Sequence, residues 1–169
     1  METLKSIKTR RSIRSYKLEK IPQEKINQIL ESAMYAPSAM NYQPWHFIVL
    51  NERKDINQIF VINPHADMVK QAPLAIIICG DLKAEINIDY LVQDCSAATQ
   101  NALLAIHELG LGGVWVSSYP NKETIEGLRK YFGFPNNIIP VSIIVLGYPA
   151  EEKDTENRFN KKKIHYNHW

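Results

Sequence analysis

The chain has 169 residues, 22% of them charged, and a formal net charge of +2. That length suits one domain with a real core. No stretch reaches the ~20 apolar residues that cross a bilayer, and the charge balance gives no bulk attraction to nucleic acid.

Met1 opens directly into the polar segment METLKSIKTRRSIRSY, so no signal peptide is expected. A short helix fits Glu2 to Thr9, and a loop carries Arg10 to Ile21. Pro22 suits a first helical position, after which Ile26, Ile29, Leu30 and Ala33 recur at helical spacing. Pro37 and Pro44 bracket a polar loop that leads into an apolar strand, His46 to Leu50. Lys54 to Val61 reads as a short helix and Leu74 to Cys79 as a buried strand. Tyr90 to Leu109 is a long helix, Val114 to Ser117 a third strand, and Val141 to Leu146 a fourth. Asn121 can cap the helix before that last strand, which runs to about Phe132 and stops at Gly133. The last twenty or so residues are polar, charged and aromatic without a period. The alternation argues α/β or α+β, one domain over residues 1–169 with helices covering a sheet.

The long helix, YLVQDCSAATQNALLAIHEL, is apolar on nearly every side, so it must be covered on nearly every side. It is either a central core helix or a helix at a subunit interface.

Several chemistries lack their devices. There is no GxSxG, no Walker loop, no GxGxxG and no HExxH in the sequence. Cys79 and Cys95 fit no zinc or CxxC spacing, which suits a reducing cytoplasm. His165 and His168 form HxxH and His107 sits beside Glu108, but neither has a third ligand nearby, so no metal site is expected. An enzyme of this kind would act through a bound organic cofactor.

Four segments remain. RRSIRSY packs three arginines and two serines into one stretch, a means of holding phosphate or simply a solvated basic loop. APSAMNYQPW offers amides between two prolines, suited to a planar heterocycle or to a plain helix-strand connection. GLGGVWVSSYP leads a strand into Ser117 and Ser118, a strand terminus of the kind that often binds ligands. The tail NRFNKKKIHYNHW is a frayed end or, given its aromatic content, a docking segment.

In this order RRSIRSY, APSAMNYQPWHFIVL, DCSAATQNALLAIHELGLGGVW, GYPAEEK and KIHYNHW resemble the nitroreductase family of flavoproteins, over nearly the whole chain and in its short, compact form. The resemblance implies an α+β fold with a central, mainly antiparallel or mixed sheet flanked by helices. It implies a homodimer whose C-terminal tails are exchanged and whose two FMN molecules lie at the interface. It carries the cofactor-binding motif to Arg10, Arg11, Ser12 and Arg14, with phosphate or ribityl at Arg10 and Ser12 and the pyrimidine side at Arg14. Pro37, Ser38, Ala39, Asn41 and Gln43 would approach the flavin from the other subunit. The backbone at Ser117 and Ser118 would meet N5 and O4, and Lys161 and Lys163 the phosphate. Many relatives carry Asn and then Lys before the second strand. Here NPHADMVKQAP offers His65 or Lys70 for the N1/O2 edge. Ser117 stands where relatives often have Glu.

The implied activity is two-electron, ping-pong transfer from NADH or NADPH through flavin N5 to a nitroaromatic, a quinone or a similar small oxidant, with no side-chain acid or base required. The same cofactor residues would serve an FMN carrier or sensor. A reductive dehalogenase or flavin-remodelling enzyme on this scaffold usually carries a substrate lid, and no insertion of that kind lies between Ser117 and Ile139.

Overall fold

A computed structural model describes residues 3–169. Helix α1 spans Thr3–Thr9; the expected start at Glu2 lies outside the described residues. Helix α2 (Gln23–Met34) follows Pro22 and buries Ile26, Ile29 and Ala33. Then come β1 (Trp45–Leu50), α3 (Arg53–Ile62), a 3-10 segment Pro64–Gln71 and β2 (Leu74–Asp81). Helix α4 (Ile88–Glu108) is capped by the Asn87 side chain, which accepts from the Asp89 amide. The chain closes with β3 (Gly112–Ser117), α5 (Lys122–Phe132) and β4 (Ile138–Gly147). Asn121 caps α5 through the Thr124 amide, and Gly133 ends it in the left-handed region at φ 68°, as the sequence suggests.

The four strands form one sheet in the order β1-β2-β4-β3, every neighbouring pair antiparallel. The fold is therefore α+β with an antiparallel sheet. One isolated parallel bridge joins Ser12 to Gly113, which lays the RRSIRSY segment along the outer edge of β3. Strand alternation splits β2 between two cores. Leu74, Ile76 and Ile78 face α2 and α4, whereas Ala75, Ile77 and Cys79 face α3, α5 and the 3-10 segment. Both faces of the sheet are thus covered, which is why its central strands read as continuous apolar runs.

The long helix packs against the sheet through Leu91, Cys95, Ala98, Ala102 and Ile106, all buried. Leu104 and Ala105, on another side, line an open groove of about 680 Å³ shared with α1 and α2. The tail is held to the body as far as Asp154, whose carbonyl accepts from Arg11. Every residue from Glu152 to Trp169 is exposed, and its one regular piece is the 3-10 turn Lys161–Lys163. Phe159, Tyr166 and Trp169 are all largely open to solvent. Among the described residues no helix is long and apolar enough to cross a membrane.

Candidate functional site

The RRSIRSY segment is fixed from three directions. The Ile13 amide donates to the Gly113 carbonyl at 3.1 Å. The buried Tyr16 hydroxyl reaches the carbonyls of Ile13 and, at 3.0 Å, Val145, and burial holds its pKa above the ordinary phenol range. Glu151 accepts from the backbone amides of Arg14 and Ser15. Those amides and Lys153 keep the Glu151 carboxyl below the usual carboxylate range.

Because Ser12 sits in parallel register with Gly113, Arg14 runs beside Trp115. Arg14, Trp115 and Ser117 line a cleft of about 330 Å³, together with Asn63, His65 and Asn121. Of the two candidates before the second strand, His65 is the one in this cleft. Lys70 instead pairs with Asp67 at 2.5 Å and lies over the Phe60 ring, 3.7 Å from its centroid. Asn63 is a further residue here, buried, with its side chain accepting from the His65 amide at 3.1 Å.

Arg10 and Arg11 face a neighbouring cleft of about 290 Å³ with Thr9, His107 and Lys153. Burial, and then the charges of Arg158 and Arg11, lower the Arg10 pKa. Arg11 spends Nε on the Asp154 carbonyl at 2.9 Å and Nη1 on Lys8 and Arg10 carbonyls, leaving Nη2 buried with no partner. The His107 Nε2 lies 2.8 Å from Thr9 Oγ1, which itself donates to the Lys5 carbonyl.

Ser117 and Ser118 part company. Ser117 is exposed at the cleft, while Ser118 is fully buried. The Ser118 amide donates to the Val141 carbonyl at 3.1 Å, and its hydroxyl has no partner.

The loop Pro37–Pro44 lies elsewhere. It enters β1, at the opposite edge of the sheet from β3 and at the same end as Ser117. Three strand spacings of ~4.8 Å separate the two edges by about 14 Å. Inside the loop Ser38 Oγ accepts from the Gln43 amide, and the Gln43 side chain donates to Asn41 Oδ1, both at 2.9 Å. A side-chain anchor from outside is Asp94 Oδ1, which accepts from the Ala39 amide at 3.0 Å. One chain therefore brings Arg10, Arg11, Ser12, Arg14 and Ser117 to one edge and Pro37, Ser38, Ala39, Asn41 and Gln43 to the other. Lys161 and Lys163 stay on the exposed tail.

Arg53 opens α3, and its guanidinium donates to the Val69 and Ala72 carbonyls at 2.9 and 2.7 Å, closing the 3-10 segment that carries His65. Asp94 and Glu151 were not singled out in the sequence. Each nonetheless lies in a motif that carries the resemblance, Asp94 at the start of DCSAATQNALLAIHELGLGGVW and Glu151 within GYPAEEK, but the backbone amides that Glu151 binds are 136 and 137 residues away.

Known proteins share the sequence pattern and the fold of this chain. A model described as the nitroreductase family matches residues 7–63 and 61–148. A Methanothermobacter thermautotrophicus protein provisionally named NADH dehydrogenase/NAD(P)H nitroreductase is 48% identical over 169 residues, covering 100% of this chain and 88% of that one. The structure of an FMN-dependent nitroreductase from Clostridium difficile superposes with a TM-score of 0.91 at 31% identity, covering 98% of this chain and 99% of that one. A Desulfovibrio desulfuricans protein provisionally named a nitroreductase, in complex with FMN, gives 0.86 at 30% identity, covering 100% and 98%.

Proposed function

The chain belongs to the nitroreductase family, and from that membership we propose that it is an NAD(P)H-dependent FMN oxidoreductase acting as a homodimer with two cofactors, each held between chains. The observation that carries the reading is the placement of the two sets of flavin-type residues at opposite sheet edges. The two edges stand about 14 Å apart, and a two-fold partner would set its own loop against this chain's β3 edge. The apolar sides of α4 beside the open groove and the uncovered aromatic tail give that partner a surface to bury.

The residues present fit FMN. Arg10 and Arg11 crowd positive charge at one end, and the unpartnered Arg11 Nη2 suits an added anion. One phosphate satisfies them, with Ser12 and the tail lysines Lys161 and Lys163 adding donors. Arg14, with Asn63 and His65, would hold the pyrimidine edge, where positive charge favours electron uptake. Ser117 would stand beside the reactive edge. Ser118 would support it from behind, since its amide is already bound to Val141. The loop of the partner subunit would cover the opposite side through backbone and amide groups.

Bound FMN supplies the two-electron chemistry itself. The protein binds and orients it, and leaves the cleft beside Ser117 open to donor and oxidant in turn. No group in that cleft is needed to move a proton. The oxidants of this reading are nitroaromatics, quinones or similar small aromatic acceptors.

Purified protein should be yellow, release FMN on heating, and bleach under anaerobic NADH or NADPH. Recovery of FAD, or a colourless chain that FMN does not reconstitute, overturns the cofactor reading. FMN that binds but does not bleach makes the chain a carrier rather than an enzyme.

A further inference from the structure

The loop that would reach the partner's flavin holds three of the four non-glycine residues with positive φ among the described residues. Met40, Asn41 and Gln43 have φ of 49°, 57° and 50°, a region that non-glycine residues occupy only when their surroundings hold them there. The hydrogen bonds of Ser38, Asn41 and Gln43 to one another shape the loop but do not attach it to the body. The loop's far end is held by the Asp81 amide, which donates to the Pro44 carbonyl at 2.8 Å, and its 3-10 turn by the side chain of Asp94. The Asp94 Oδ1 accepts from the Ala39 amide at 3.0 Å, at the first residue of the turn Ala39–Asn41.

Asp94 is an expensive choice at that position. It is 6% exposed on α4, beside the fully buried Leu91, Cys95 and Ala98. Its Oδ2 has no hydrogen-bond partner. Burial, and then the nearby Glu85, hold its carboxyl above the usual carboxylate range against the pull of the Ala39 amide. A buried, half-satisfied carboxyl is disfavoured for stability alone, and the contact it makes is with the loop.

We propose that Asp94 is a positioning residue for the cofactor. It touches no ligand and acts through the Ala39 amide, holding Ser38, Asn41 and Gln43 in the strained arrangement that closes the partner subunit's flavin site. Because Asp94 lies on α4, it also ties that loop to the helix left partly uncovered at the groove. The proposal rests on the FMN-dimer reading above.

The test uses the full chain with two substitutions. Asp94→Leu keeps a similar side-chain outline, removes both oxygens and suits the apolar surroundings. Asp94→Asn keeps an Oδ1 acceptor for Ala39. Three quantities are read: the FMN dissociation constant, the visible spectrum of the bound flavin, and hydrogen exchange at residues 39–43 in the FMN-free protein. Asp94→Leu is expected to melt no lower than wild type, to bind FMN about tenfold or more weakly, to shift the flavin band and to exchange faster in the loop. Asp94→Asn is expected to restore all three towards wild type. Wild-type FMN affinity and loop protection in Asp94→Leu would overturn the proposal, as would an Asn variant as impaired as the Leu one. A wild-type chain that takes up no FMN overturns the underlying cofactor reading, and that result is separate from any difference between variants.

Discussion

Gly112 leaves no room for a side chain beside Ile13: a β-carbon built on Gly112 would stand 2.7 Å from the Cβ of Ile13. The next residue, Gly113, pairs with Ser12. The phosphate-type segment thus lies on β3 at a closeness that only glycine allows. Because the obstructing atom is a β-carbon, relief requires the backbone at Ile13 to move.

Gly112→Ala should therefore displace Ser12 and Arg14 together. We expect a loss of about 1–3 kcal/mol in stability and weaker FMN binding, read by urea denaturation and FMN titration. Unchanged values in both would mean that the segment is not held by this packing.

Arg10→Ala should weaken FMN binding more than Arg53→Ala does. Arg10 faces the crowded basic cleft, whereas Arg53 donates to the Val69 and Ala72 carbonyls. Each lost charge-assisted hydrogen bond is worth ~1.5–3 kcal/mol, but the two losses fall on different quantities. Arg53→Ala should lower the melting temperature, and Arg10→Ala should change it little. Equal FMN affinity in the two variants would refute the assignment of Arg10.

Donor and oxidant should use one cleft in turn. Initial rates with both substrates varied should give parallel double-reciprocal lines. Intersecting lines would require a ternary complex and a second site.

His107 gives the acid side of the stability curve a testable shape. Burial, and then the charge of Arg10, lower its pKa from 6.5. The unfolded chain therefore binds the proton first. Stability is fully present above about pH 6.5 and is lost as pH falls from there through the folded value. Urea midpoints between pH 7.5 and 5 should fall more steeply in wild type than in His107→Gln. Identical slopes would remove His107 from the account.

A chain ending at Asn157 should lose both FMN affinity and dimer stability. The removed segment holds Lys161 and Lys163 as well as Ile164, Tyr166 and Trp169, all exposed in this chain. Light scattering and FMN titration check the two effects together. A tight dimer with wild-type affinity would make the tail a frayed end.

The fold was legible wherever a residue's role follows from its neighbours in sequence. The Asn121 cap, the Gly133 stop and the four apolar strands follow from local pattern, with small shifts such as β4 starting at Ile138 rather than Val141. The 3-10 segment Pro64–Gln71 was not legible, because its end is closed by Arg53 from an earlier helix. The site divides in the same way. Arg14 and Ser117 could be marked as candidates from residue type and motif. Their meeting depends on β3 being an edge strand with Ser12 beside it, and no local pattern encodes sheet order. Asp94 and Glu151 act on backbone amides far away in sequence, so their own surroundings give little sign of their roles.

The separation of the two residue sets on opposite sheet edges has a consequence for inheritance. On the shared-site reading, a chain lacking Arg14 spoils the site that its own β3 edge forms, while a chain lacking its Ala39 anchor spoils the site across the interface. Either homodimer then has two damaged sites. A mixed dimer concentrates both lesions in one site and leaves the other built wholly from intact parts. Two alleles that are each defective should complement each other when co-expressed, and the purified mixed dimer should bind one FMN tightly rather than two.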